Sequence, residues 1–284
     1  MATEPLILTE ADGPVLYLTL NRPRRANAFD AEMLRQFDAA LDRVRDDVSI
    51  HVAVIRGAGR GFSAGYDMAR PDDAERQGRR DPLVEFREDR LLVERWLRVW
   101  DLPKPVIAQV HGYCMGGATQ LAFLCDLTYV AEDTRIQYAA MRAGGGLIPP
   151  TWALALGPKR AKEFGLATGI TIDGRTAADW GWANHALPAG ELEAAVAEMA
   201  IRIALEPPGN VELEKAAINR AFEAAGFRTI LLAGALSNAV GHGSADSAAI
   251  HHEVQQVGAK EYARLKEERV REFLRRRAEA AGGA

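Results

Sequence analysis

Thiols are scarce: Cys114 and Cys125 are the two cysteines in 284 residues, and both lie inside apolar segments. Such residues read as small buried hydrophobes of a reducing compartment, not as catalytic thiols or a disulfide. An excess of charge of either sign is missing as well. Lys+Arg number 35 against 39 Asp+Glu, for a net charge of −4 and a pI near 5.9, so there is no electrostatic case for nucleic acid or an anionic membrane. No apolar run approaches the roughly 20 residues of a membrane span. The opening MATEPLILTE lacks a basic n-region and is too acidic for a signal or transit peptide, so a cytoplasmic protein is expected. What the chain does have is 48% hydrophobic and 26% charged residues, the balance of a soluble protein with a sizeable core. Its length suits one large domain, or one domain with a helical appendage.

The local patterns alternate. LILTE and VLYLTL within residues 5–20 read as strands joined by the turn Asp12-Gly13-Pro14. Asp30 can cap a helix over 30–46, with Met33, Leu34, Phe37, Leu41 and Val44 at helical spacing. HVAVIRG (51–57), VIAQV (106–110) and LTYVA (127–131) read as further strands, and 84–100 and 116–124 as helices. The charged, Gly/Pro-dense stretch from Pro71 to Arg90 suggests a mobile surface loop. Beyond Pro149 the pattern turns helical over 151–156, 158–168, 176–181, 190–205 and 211–225, then a long charged terminal segment with Leu265, Val270 and Leu274 at helical positions. An α/β core with mostly parallel pairing follows.

Two glycine-broken stretches stand out, RGAGRGFSAGYDM (56–68) and HGYCMGGATQLAFLC (111–125), the second leading into a helix. Glycine permits close approach of a backbone to a ligand, and a helix N-terminus offers unpaired N–H groups with a partial positive charge. Two such donors converging on one oxygen make an oxyanion hole.

Taken with N-R-P-R-R-A-N-A (21–28), K-P-V-I-A-Q-V-H-G-Y-C-M-G-G (104–117), C-D-L (125–127), G-P-K-R-A-K (157–162) and T-I-D-G-R-T-A-A-D-W-G (171–181), these stretches resemble the crotonase superfamily, the enoyl-CoA hydratase/isomerase family. The resemblance covers roughly residues 5–205. It implies a ClpP/crotonase-like α/β spiral of ββα units over residues 1–205, with a C-terminal helical region over 206–284 for packing and trimerisation. A homotrimer or a dimer of trimers is implied, and a lyase or isomerase of fatty acid metabolism that takes a coenzyme A thioester as substrate, with no permanently bound cofactor. The oxyanion donors would be the main-chain N–H groups of Tyr66 and Gly117. Arg24 and Ala26 fall where the family contacts the adenine and phosphates of CoA; Ala64, Asp67, Met68, Gly116, Tyr138 and Arg142 complete the expected substrate contacts.

Against this pattern, two glutamates are missing. Family hydratases carry one three residues after the second oxyanion glycine, where this chain has Gln120; the other would fall at Ala140 or Arg142. A positioned acid or base is typically worth ~10²–10⁴-fold, and an amide cannot take a proton at neutral pH. Chemistry other than simple hydration is therefore expected: decarboxylation, isomerisation, C–C hydrolysis or thioester hydrolysis, with a base drawn from Tyr66, Asp67 or the acidic residues Asp72, Asp73, Asp81, Glu85, Glu88 and Asp89. The alternatives are a hydratase for unusual substrates, in which Gln120 orients water, and a non-catalytic acyl-CoA binder. Asp67 has a competing role as the residue that fixes the S-A-G-x-D turn, and His111 reads as a satisfied strand-end histidine. His185, His242, His251 and His252 stand at no metal-ligand spacing with a carboxylate, so no metal site is expected. The five tryptophans read as core or acyl-pocket walls.

Overall fold

A computed structural model describes residues 5–67, 81–138, 151–166 and 170–282. Its strands are β1 (Ile7–Asp12), β2 (Val15–Leu20), β3 (Val52–Gly57), β4 (Val106–Val110), β5 (Tyr113–Met115), β6 (Leu127–Ala131), β7 (Arg135–Gln137) and β8 (His185–Leu187). Six of them form one sheet in the order β1-β2-β3-β4-β6-β8, antiparallel only at the β1–β2 hairpin, while β5 and β7 pair in parallel as a second, two-stranded sheet. The hairpin turns at Gly13, whose φ of 54° suits glycine.

The period-2 pattern of the strands decides what each face meets. Leu16, Leu18, Leu20, Ala53, Ile55, Ala108 and Val110 point into the main core, against helices α1 (Ala31–Asp46), α2 (Pro82–Asp101) and α3 (Gly117–Leu124). Their neighbours Val15, Tyr17, Val52, Val54, Ile107 and Tyr129 face the opposite side. The chain continues through α4 (Ala153–Leu166), α5 (Gly174–Trp180) and α6 (Leu192–Ala204); α6 covers that second face with Leu192, Val196 and Ala200. Each fully buried large side chain contributes about 1.5–3 kcal/mol. Helix α1 is capped as its sequence indicates: Asp30 Oδ1 accepts from the Met33 N–H at 2.8 Å. In α4, Gly157 has non-helical torsions (φ 71°) and Pro158 follows, which breaks the segment where the sequence places a boundary.

The expectation of a loop from Pro71 to Arg90 is corrected over its second half. Residues 68–80 lie outside the described residues, but α2 already begins at Pro82, where Asp81 accepts from the Leu83 N–H at 2.9 Å and proline occupies the first helical turn. The helix expected over 84–100 is thus borne out, and its buried face takes in Glu85 and Asp89 as well as Val93 and Trp96. The single long terminal segment divides into α8 (Phe227–His242), α9 (Ala245–Val257) and α10 (Ala259–Gly282), after α7 (Pro208–Ala224). Helix α8 lies along α2, with Phe227 stacked 4.6 Å from Trp100. Among the described residues no helix is long and apolar enough to cross a membrane.

Candidate active site

Asn27 organises the first half of the site. Fully buried and left-handed (φ 53°), it sends its carboxamide N–H groups to the carbonyls of Ala58, Gly61 and Phe62 at 2.8–3.1 Å, and its Oδ1 accepts from Arg22 N. Ser63 Oγ donates to the Asn27 carbonyl at 2.7 Å and accepts from the Gly65 N–H at 3.1 Å. The S-A-G turn is thus tied to the N-R-P segment by side chains as well as by the Ala64 N–H, which donates to the Ala26 carbonyl at 2.9 Å.

The same turn runs beside β5. Met115 N donates to the Ser63 carbonyl at 3.0 Å, and Gly116 N to the Gln137 carbonyl of β7 at 2.9 Å. Phe29 takes the next step outward: its N–H donates to the Gly65 carbonyl at 2.7 Å and its carbonyl accepts from Asp67 N at 3.0 Å. The intervening Tyr66 N–H is consequently turned toward the other edge of the segment, where Gly116 and Gly117 lie. The approach is close enough to require glycine on both sides. A Cβ on Gly65 would stand 2.6 Å from the Met115 carbonyl oxygen and 2.9 Å from Gly117 N; a Cβ on Gly117 would stand 2.5 Å from Cε2 of the Tyr66 ring. Gly117 is the first residue of α3, where an N–H has no partner within its own helix.

Gln120 is one turn along α3, on the same face as Gly117, and 5% exposed. Its carboxamide makes no hydrogen bond among the described residues. Asp67 is held by Arg22, Nη1 to Oδ2 at 2.6 Å, and Arg22 also meets Asp30 at 3.0 Å. Arg24 is exposed, in a 3-10 turn that ends at the left-handed Ala26. Met68, Ala140, Arg142, Asp72 and Asp73 lie outside the described residues.

The sequence profile of the enoyl-CoA hydratase/isomerase family matches residues 10–253. The chain belongs to that family. A solved enoyl-CoA hydratase/isomerase from Xanthobacter autotrophicus Py2 superposes with a TM-score of 0.86 at 32% identity, covering 94% of this chain and 99% of the other. The 1,2-epoxyphenylacetyl-CoA isomerase of Escherichia coli K12 is 33% identical over 224 residues, 76% of this chain and 82% of that enzyme. The carnitinyl-CoA dehydratase of Proteus mirabilis is 34% identical over 204 residues, 69% and 73% of the two chains.

For an enoyl-CoA hydratase/isomerase family enzyme, the surroundings of the two glycine stretches are aromatic. Trp96 Nε1 donates to the Tyr66 hydroxyl at 2.6 Å, and the rings of Phe29 and Trp96 lie 6.0 and 6.2 Å from that of Tyr66. Asn27 and Ser63 were missed by sequence reasoning, and Trp96, read there as a core or acyl-pocket wall on the 84–100 helix, carries a bond to Tyr66 that the sequence did not show. Asn27, three residues before the Asp30 cap, gave no sign in the sequence that its amide spans three carbonyls. Tyr138 packs edge-on to Trp152 at 4.9 Å, and burial pushes its hydroxyl well above the ordinary tyrosine value. Trp152 itself is fully buried, a core residue.

Two other features sit apart. Glu85 and Asp89, expected on a surface loop, are instead 3% and 6% exposed on α2, where His242 Nδ1 lies 2.7 Å from Glu85 Oε1 and Asn238 Nδ2 donates to Asp89 at 2.6 Å. The fold thereby pairs a histidine with carboxylates that no sequence spacing linked, and Glu85, Asp89 and His242 place one ligating atom each within 4.8 Å of one another. At 1.5 Å per residue, Asp89 and Glu85 stand about 10 and 16 Å along α2 from Trp96. A cavity of about 800 Å³ opens beyond the other end of α3, walled by Phe123, Trp182, Ile218 and Phe222. His111 Nε2 meets the Gly59 carbonyl at 3.0 Å, the satisfied strand-end role expected of it.

Proposed function

We propose that the protein processes acyl-CoA thioesters, stabilising the enolate or oxyanion of the thioester between the main-chain N–H groups of Tyr66 and Gly117. The observation that supports this reading is the contact of the two glycine turns. Only hydrogen on Gly65 and Gly117 lets the Tyr66 and Gly117 amides stand side by side at the start of α3, whose N-terminal partial charge favours an anion there. A donor pair so fixed is worth about 2.7–4 kcal/mol per member to a developing oxyanion. Arg24, exposed beside Ala26, is set to pair with a CoA phosphate, and the Ala26–Ala64 hydrogen bond couples that end of the ligand to the donors. Coenzyme A enters as part of the substrate and no resident cofactor is called for.

Gln120 occupies the position from which a carboxylate would activate water, and it can orient a water or acyl oxygen without taking a proton. The reaction is therefore an isomerase- or lyase-type conversion through a thioester enolate, not the two-carboxylate addition of water. The exposed apolar side chains Leu213, Ile218 and Phe222 on α7 and Val270, Phe273 and Leu274 on α10 suit burial between copies, in a cytoplasmic homotrimer.

The decisive experiment follows the loss of enoyl absorbance with crotonyl-CoA against a true hydratase, alongside calorimetric titration with the saturated butyryl-CoA. Binding with little or no hydration supports the proposal. Hydration at the control rate would restore the simple hydratase, and absence of binding to either thioester would refute an acyl-CoA site.

A further inference from the structure

The missing glutamates leave the question of which group moves the proton at the α-carbon. We infer that the Tyr66 phenol is that group, a catalytic residue through its side chain as well as its main chain, and that Trp96 is the positioning residue that fixes it. The inference rests on the oxyanion reading of Tyr66 and Gly117.

The ring edge of Tyr66 lies against Gly117: a Cβ there would be 2.5 Å from Cε2, 2.9 Å from Cδ2 and 3.1 Å from Cζ. The hydroxyl is one bond beyond Cζ, which brings it close to Gly117 at the start of α3. Trp96, 2% exposed, locks the ring by its 2.6 Å hydrogen bond and its tilted contact. An indole N–H can only donate, so in this bond the phenol oxygen accepts and its own proton is directed away from Trp96. The same N–H stabilises the phenolate left behind when the proton departs. Among the other candidates, Asp67 is tied to Arg22, Tyr138 packs against Trp152 with its hydroxyl pushed up by burial, and Asp89 and Glu85 are buried about two and three turns along α2 from Trp96.

In the step itself the Tyr66 O–H gives its proton to the α-carbon of the bound enolate. The new C–H bond forms from the enolate electron pair, the thioester carbonyl is restored, and the phenolate, held by Trp96, regains a proton from water. In reverse, the phenolate removes an α-proton and the amides take the charge that collects on oxygen.

Two probes separate the amides from the phenol. Acetoacetyl-CoA reports on the amides, because its enolate absorbs in the near ultraviolet where the keto form does not. Phenylacetyl-CoA reports on the phenol, through exchange of its α-protons in deuterated water followed by proton NMR over about pH 7 to 10, up to the tyrosine range. Tyr66→Phe is expected to keep the acetoacetyl-CoA enolate signal and to lose exchange by ~10²–10⁴-fold. Trp96→Phe, which keeps an aromatic ring, is expected to fall between the two, with the rise of exchange moved to higher pH. Exchange by Tyr66→Phe at the wild-type rate, with the enolate signal intact, overturns this inference alone; an unchanged pH profile in Trp96→Phe overturns the positioning role. Absence of the enolate signal in the wild type overturns the oxyanion reading and the inference with it.

Discussion

Removing the Gly117 N–H should weaken enolate stabilisation by the worth of one donor, but a single substitution cannot show it cleanly. Gly117→Pro deletes the donor and also adds carbon where a Cβ would stand 2.5 Å from the Tyr66 ring, and Gly117→Ala keeps the donor yet makes the same clash. Both are expected to be weak in the native background. Tyr66→Ala takes away the ring while leaving the main-chain N–H at that position, so the informative pair is Gly117→Pro against Gly117→Ala with Tyr66→Ala present in both. Proline is tolerated at the first position of a helix, which is where Gly117 stands. Loss of one oxyanion donor costs about 2.7–4 kcal/mol, or ~10²–10³-fold. Titration of acetoacetyl-CoA, read as enolate absorbance, should therefore give an apparent enolate affinity lower by that factor for the proline variant. Equal affinities for the two double variants would refute the donor role of Gly117, whatever either single variant did.

Three further outcomes follow from the surroundings. Lys215, 8% exposed, pairs with Asp126 at 2.8 Å, so Lys215→Met should lower stability by about 3 kcal/mol in denaturant unfolding, and adding Asp126→Asn should recover part of it; additive losses would show that the pair is not coupled. Burial pushes both thiols upward, so the thiolate fraction at Cys114 and Cys125 stays low well into the alkaline range, and a disulfide reagent should label them only at the rate of unfolding; immediate labelling of the native protein would contradict their burial. Asn27→Ala leaves three carbonyls short of a donor and should cost about 2–3 kcal/mol while weakening thioester binding, because the S-A-G turn loses its tie; stability loss with unchanged binding would separate the turn from the site.

The parts of this fold legible in the sequence are those with a strong period. β2, β3, β4 and β6 carry alternating or continuous apolar residues buried on both faces, and α1 carries its cap and apolar stripe in adjacent residues. β5, β7 and β8 span three residues each, less than two repeats of the strand period, and so leave no pattern to read. The helix expected over 84–100 is α2, begun two residues earlier at Pro82, but the partners of its first turns were not legible: Glu85 and Asp89 look like solvated loop charges until α8 supplies His242 and Asn238 from about 150 residues away. The site divides the same way. The donors proposed for it are backbone groups placed by glycines, and glycines at forced positions are visible in a sequence because nothing else fits. Its proton chemistry depends on side chains whose directions are set by long-range contacts, such as the Trp96–Tyr66 bond across 30 residues. On the proposed reading, a chain with glycines in both turns and glutamine at position 120 marks where charge is stabilised and conceals what moves the proton. The phenol inferred above to move that proton shares a residue with the first proposed donor, and the enolate and exchange probes read those two roles apart.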